Sequence, residues 1–204
     1  MLLAVLLAGC GHTAKLRPTP RGQVDVELET GGPFARVGSQ EALLPLTTLG
    51  ASWGVAERVD VSAHWHPLAA LLGVGGLDLG ASWQPFVDRG AMPALTLTGR
   101  LYGFTDFHTG FEPYLELAVA GSWQILGLVS PFLDVSALLQ TDAAPLFAVG
   151  TGLELEVHRV VLLAELRWYG PNRSTRYEVI HWESFGGLGA YGVLLGVRVR
   201  LGGD

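Results

Sequence analysis

Two histidines stand one residue apart in Val59-Asp60-Val61-Ser62-Ala63-His64-Trp65-His66. In an extended chain, residues two apart share a face, so both imidazoles lie side by side, a spacing that can hold a metal. Pro67 ends the run at once and no third ligand stands nearby. The pair therefore reads as polar lining, and no metal or cofactor is assigned. A second chemistry is nucleophilic: His108 or His181 with Ser174 or Ser184 and Glu183 contains the residue types of a Ser/His/acid set. Such a set is defined by geometry, which spacing does not supply, and the chain has no G-x-S-x-G elbow. No catalytic residue is assigned on this basis. A third chemistry is charge. Asp25, Glu27, Glu29, Asp60, Asp78, Glu116, Asp134, Glu154, Glu156 and Glu165 alternate with apolar neighbours, as do Arg100, Arg167, Arg198 and Arg200.

The elements that must position these groups are strands. Val59, Val61, Ala63 and Trp65 fall on one face; Asp60, Ser62 and His64 fall on the other. The pattern recurs along the chain, over roughly 23–37, 43–55, 58–68, 73–86, 92–104, 111–126, 129–141, 145–158, 160–170 and 187–202. Each segment reaches the length of about 9–11 residues that a tilted membrane strand needs. Composition agrees: 49% of residues are hydrophobic and 16% charged, against about 25% charged in soluble domains. Mean hydropathy is +0.35, yet no apolar run after the leader is long enough for a spanning helix. The reading is an all-β, antiparallel, up-and-down transmembrane β-barrel with a polar interior, of about ten strands, with eight as the alternative. Net charge is −6 and the bases are scattered, so nucleic acid is not a partner.

On this reading the charges line a lumen, where isolated ions are costly and pairing is expected. Arg198 and Arg200 share a strand beside Glu165 and Arg167, and closure brings Asp25, Glu27 and Glu29 to their other side. A salt-bridge ladder that plugs the barrel is favoured over a narrow acidic, cation-preferring path. Trp53, Trp65, Trp83, Trp123 and Trp168 share the apolar parity and fall mostly near strand ends, as an aromatic girdle does. Leu49-Gly50-Ala51-Ser52-Trp53 recurs as Leu79-Gly80-Ala81-Ser82-Trp83, a sign of a repeated hairpin. The short connections at 56–58, 127–128 and 158–159 alternate with longer ones, of which 171–186 is the longest. That loop carries Tyr177, Trp182 and Phe185 among charges, and reads as a contact for lipopolysaccharide or a surface partner, or as an interfacial anchor. Gly54-Val55-Ala56-Glu57-Arg58-Val59-Asp60-Val61, a strand, tight turn and strand, resembles the hairpin of bacterial outer-membrane β-barrel proteins. The resemblance implies an outer-membrane barrel, bathed in membrane lipid, with its N-terminus on the periplasmic side.

The N-terminal run Met1 to Cys10 ends in Leu7-Ala8-Gly9-Cys10, which resembles the lipobox of bacterial lipoproteins. The resemblance implies a signal peptide over 1–9 and a lipid on Cys10. A leader of nine residues is shorter than the usual 15–30 or so, which points to a start codon assigned too late. Residues 10–22, with Pro18 and Pro20, read as lipidated cysteine and flexible tether, and 23–204 as the barrel domain. The functional expectation is a small outer-membrane β-barrel lipoprotein with a non-enzymatic structural or surface-interaction role. The alternatives are a narrow cation-preferring pore and an outer-membrane lipid-modifying enzyme.

Overall fold

The computed structural model describes residues 11–37, 40–43, 46–71, 74–105, 110–140, 144–170 and 188–202. They form β1 (Val24–Val37), β2 (Gln40–Leu43), β3 (Thr48–Ala56), β4 (Val59–Trp65), α1 (Pro67–Leu71), β5 (Gly75–Phe86), β6 (Ala94–Thr105), β7 (Phe111–Ser122), β8 (Val129–Gln140), β9 (Leu146–Val157), β10 (Val160–Tyr169) and β11 (Ala190–Leu201). β1 pairs antiparallel with both β2 and β3, each strand from β3 onward pairs antiparallel with the next, and β11 pairs back onto β1 over Val24↔Leu201 to Pro33↔Gly192. The sheet is closed. β2 and β3 are one wall position, interrupted at 44–47, so the barrel has ten staves: β1 faces β2 near one end and β3 near the other. The ten expected segments match these staves. Expected and observed limits differ by three residues after β4, where Trp65 ends the strand and Pro67 starts a five-residue helix. Proline's fixed φ suits the first position of a helix, and it has no N–H to give a strand ladder.

The two ends differ. Glu57-Arg58 and His158-Arg159 close hairpins at the end where β1 begins, with Arg58 and His158 at φ 63° and 56°. The opposite end carries the longer connections, including α1 and the stretch between Tyr169 and Ala190. The wall is inside-out relative to a soluble protein. Leu79, Leu117, Leu133, Leu153, Leu166 and Leu195 are half or more exposed on the outside, while Asp25, Glu27, Asp60, Asp78, Glu116 and Glu165 are buried within. A closed ring of strands satisfies its own backbone hydrogen bonds, so an apolar exterior of this kind suits hydrocarbon. No helix among the described residues is long and apolar enough to cross a membrane; crossing falls to the strands.

Trp53 and Trp83 face outward near the short-turn end, where Trp123 also lies; Trp65 and Trp168 face outward near the other. The Trp123 indole N–H donates to Ala91 O and that of Trp168 to Leu188 O. This is the two-belt arrangement of amphipathic rings at both boundaries of an apolar slab.

Candidate functional site

The lumen is occupied by the chain's own N-terminal segment. Residues 11–20 carry no regular secondary structure and run the length of the barrel interior. Their base is fixed at the short-turn end, where Gly22 N donates to Gly54 O (2.8 Å) and Gly54 N donates to Gln23 O (3.1 Å). A side chain at position 54 would collide with the carbonyl of Pro20, so glycine there lets the segment turn into the lumen. At the far end, Gly11 packs against the backbone of Leu46, whose N–H donates to Gly31 O at the long-loop side. The flexible tether expected over residues 10–22 is thus corrected from Gly11 onward. Prolines and polar residues gave it no strand or helix period, but the charged wall supplies partners at nearly every residue. The direction of the chain changes with it: β1 begins at the short-turn end, and the segment before it leads back to the long-loop end.

From the bottom upward, Thr19 N donates to Asp60 Oδ2 (2.7 Å) and its hydroxyl donates to Asp25 Oδ2 (3.0 Å). Arg17 reaches Glu154 (3.2 Å) and Ser130 (3.1 Å). Leu16 O accepts from the Thr96 hydroxyl (2.6 Å). Lys15 Nζ sits 2.7 Å from Glu27 and 3.1 Å from Asp60, and donates to Ser52 (2.9 Å). Ala14 N donates to Glu165 (2.8 Å), and the Thr13 hydroxyl donates to Glu29. On the other side Ala14 and Leu16 pack with Ala120, Phe132 and Leu163. Lys15 and Thr19 thus face β1, β3 and β4, the side chains of Ala14 and Leu16 face β7, β8 and β10, and Arg17 reaches β8 and β9.

The wall charges also pair among themselves. Arg200 meets Asp25 (3.2 Å) and Glu156 (3.0 Å), and Arg198 pairs with Glu154. Arg167 meets Glu165 (2.5 Å) and Asp134 (3.6 Å), while Arg100 lies 3.5 Å from Glu116. The structure brings Asp25, Glu27, Asp60, Asp78, Arg100, Glu116, Asp134, Glu154, Glu165, Arg167, Arg198 and Arg200 into the lumen. Sequence reasoning missed His12 and the cations Lys15 and Arg17, which come from outside the strands. Above the charges, Tyr102, Phe104, Tyr114 and Tyr169 pack with Leu138, Leu146 and Ala69 of α1 into an apolar cap. The luminal cavity left beside the segment, between Lys15, Thr98, Arg100 and Glu116, measures about 10 Å³, room for roughly one water.

The histidine pair is part of this interior. His64 and His66 are both buried, and His12 of the segment lies against them, with the His12 and His64 ring centroids 4.5 Å apart. Asp78 stands at the centre: His12 Nε2 is 2.9 Å from its Oδ2, His66 Nε2 is 3.0 Å from the same oxygen, and His64 Nδ1 is 2.9 Å from Oδ1. Gly50 makes room for the His64 ring, since a side chain there would strike it. Cys10, His108, Ser174, His181, Glu183, Ser184 and the aromatic residues of 171–186 lie outside the described residues.

Solved structures with this architecture are membrane barrels. KdgM porin matches at a TM-score of 0.50 with 10% identity, over 87% of this chain and 99% of that one. The translocator domain of the autotransporter NalP from Neisseria meningitidis matches at 0.42 with 12% identity, over 93% and 90%. The fold is that of the bacterial outer-membrane β-barrels. No family model matches the chain, and no curated protein matches it. In this outer-membrane-type barrel the ends can be compared with the usual plan of short periplasmic turns and long outer loops. The hairpins at Glu57-Arg58 and His158-Arg159 lie at one end of the barrel, and Gly11 lies toward the other.

Proposed function

We propose that the protein is a sealed barrel of the bacterial outer membrane with a non-enzymatic role, presenting its long-loop end to the outside. The observation that supports this best is the seating of residues 11–20 through the whole lumen, with buried partners for His12, Thr13, Lys15, Arg17 and Thr19. A lumen filled in this way has no route for a solute, which argues against the pore reading that KdgM's name as a porin would invite. The same seating delivers the chain ahead of Gly11 to the long-loop end. With Cys10 acylated, its lipid would then belong to the outer leaflet, on the opposite side from the periplasmic position expected from β1 alone. β10 ends and β11 begins at that end too, and we assign to residues 171–186 between them the contact with lipopolysaccharide or a surface partner.

The test is conductance in a planar bilayer, with heat-dependent gel mobility as the check of folding. The full chain is expected to be silent. Deletion of 11–20 is expected to open steady, cation-selective steps, because ten acids and four arginines then line the path. Steady conductance from the folded full chain would refute the sealed lumen.

A further inference from the structure

We propose that His12, His64, His66 and Asp78 form a site for a divalent transition metal of the zinc class, which staples the N-terminal segment to the barrel wall. This rests on the seating of residues 11–20 in the lumen. Three imidazole nitrogens, His12 Nε2, His64 Nδ1 and His66 Nε2, converge on one carboxylate at 2.9–3.0 Å. One carboxylate does not require three imidazoles around it; a cation among them does. Ligand atoms of His12, His64 and Asp78 lie within 4.8 Å of one another. Tetrahedral bonds of about 2.0–2.1 Å place ligand atoms about 3.3 Å apart, so side-chain shifts of order one ångström bring these three together, and His66 stands beside them, 3.0 Å from Asp78.

The outer partners carry the argument further. His12 Nδ1 lies 2.6 Å from Glu29 Oε2, and His64 Nε2 lies 2.8 Å from Glu27 Oε2. A carboxylate beside one ring nitrogen accepts the hydrogen bond from its N–H and leaves the lone pair of the other nitrogen free, which is how metal-bound histidines are oriented and made more basic. Here both rings present the free nitrogen toward Asp78. Without a metal, both nitrogens of His12 and of His64 face carboxylates. Three nitrogens and one carboxylate suit zinc and its neighbours; magnesium and calcium want all-oxygen shells. His12 is the only ligand from the segment, so the metal would fix the plug's upper end while Lys15 and Thr19 hold the rest.

The experiment uses the full chain, free of any histidine tag, folded in detergent, stripped by chelator and loaded with zinc or cobalt. Metal per chain and the visible absorption of cobalt are read beside bilayer conductance. About one metal per chain, with tetrahedral-type cobalt absorption that His12→Gln and His64→Gln each abolish, is the expected result. Zinc should also raise the temperature of the heat-dependent gel transition of the unmodified chain, a readout that needs no variant to fold. Folded chain that retains no metal and gains no heat resistance from zinc overturns the site. So does metal retained equally by both variants. A silent chain without metal refutes the staple alone, whereas a conducting chain refutes the sealed lumen.

Discussion

Lys15 offers the sharpest test of how the segment is held. Its ammonium is buried between Glu27 and Asp60, at 2.7 and 3.1 Å, with Ser52 as third acceptor. Replacing it in Lys15→Met keeps the stem's volume and removes the charge. Glu27 and Asp60 then face each other's field without their shared cation. Breaking a buried pair by removing one partner costs about 3–5 kcal/mol, because the remaining charge stays desolvated. The wall's hydrogen-bond ladder does not depend on Lys15, so the loss falls on docking of the segment rather than on the barrel, a local opening. At about 1.4 kcal/mol per tenfold, the undocked population should rise roughly a hundred- to a few-thousandfold. The assay is maleimide labelling of Ala14→Cys on a Cys10→Ser background in folded protein, since Ala14 is buried against the wall when docked. Adding Glu27→Gln to Lys15→Met should recover part of the loss, a coupling of about 1–3 kcal/mol. A labelling rate unchanged by Lys15→Met to within about 0.5 kcal/mol, the scale of an ordinary surface substitution, would refute the buried ion triplet.

Other substitutions probe the wall. Gly150→Ala places a methyl against Asp134 Oδ1 and Glu165 Oε1, and overpacking of this kind should cost about 1–3 kcal/mol, read by urea unfolding in detergent micelles. Leu117→Arg puts a charge on the outer face at mid-strand, where half of Leu117 is exposed; folding into lipid vesicles should weaken by about 2–4 kcal/mol. Indoles at the two boundaries should respond to bromine placed at matching depth: lipids brominated near the headgroup should quench tryptophan fluorescence more than lipids brominated at the chain ends, and the reverse order would place the rings in mid-bilayer.

The wall was legible because its physics is local. A strand that faces lipid on one side and a polar lumen on the other writes its register as alternation, residue by residue. Thus Asp60 and His64 fall inside and Val61 and Trp65 outside without knowledge of any partner strand. The helix Pro67–Leu71 was not legible, since five residues carry too little period to separate from the end of a strand. His64 and His66 were visible as a pair, but their third neighbour, His12, lies more than fifty residues away in sequence. No spacing rule joins positions that distant; only the path of the segment through the barrel does.

The segment itself has no pattern, and its conformation is imposed by what surrounds it. Yet the sequence held one signal of it. Ten luminal acids stood against four arginines, an imbalance that a narrow, weakly hydrated interior cannot sustain unpaired. The missing cations had to come from something that is not a strand. Lys15 and Arg17, on a stretch with no core of its own, are that source: they meet Glu27 and Asp60, and Glu154. The acids that look like the lining of a cation path are, on this reading, the receptor for an internal basic peptide. The barrel is acidic inside because its plug is basic, and the lumen's charge therefore speaks of what closes it before it speaks of what might pass through.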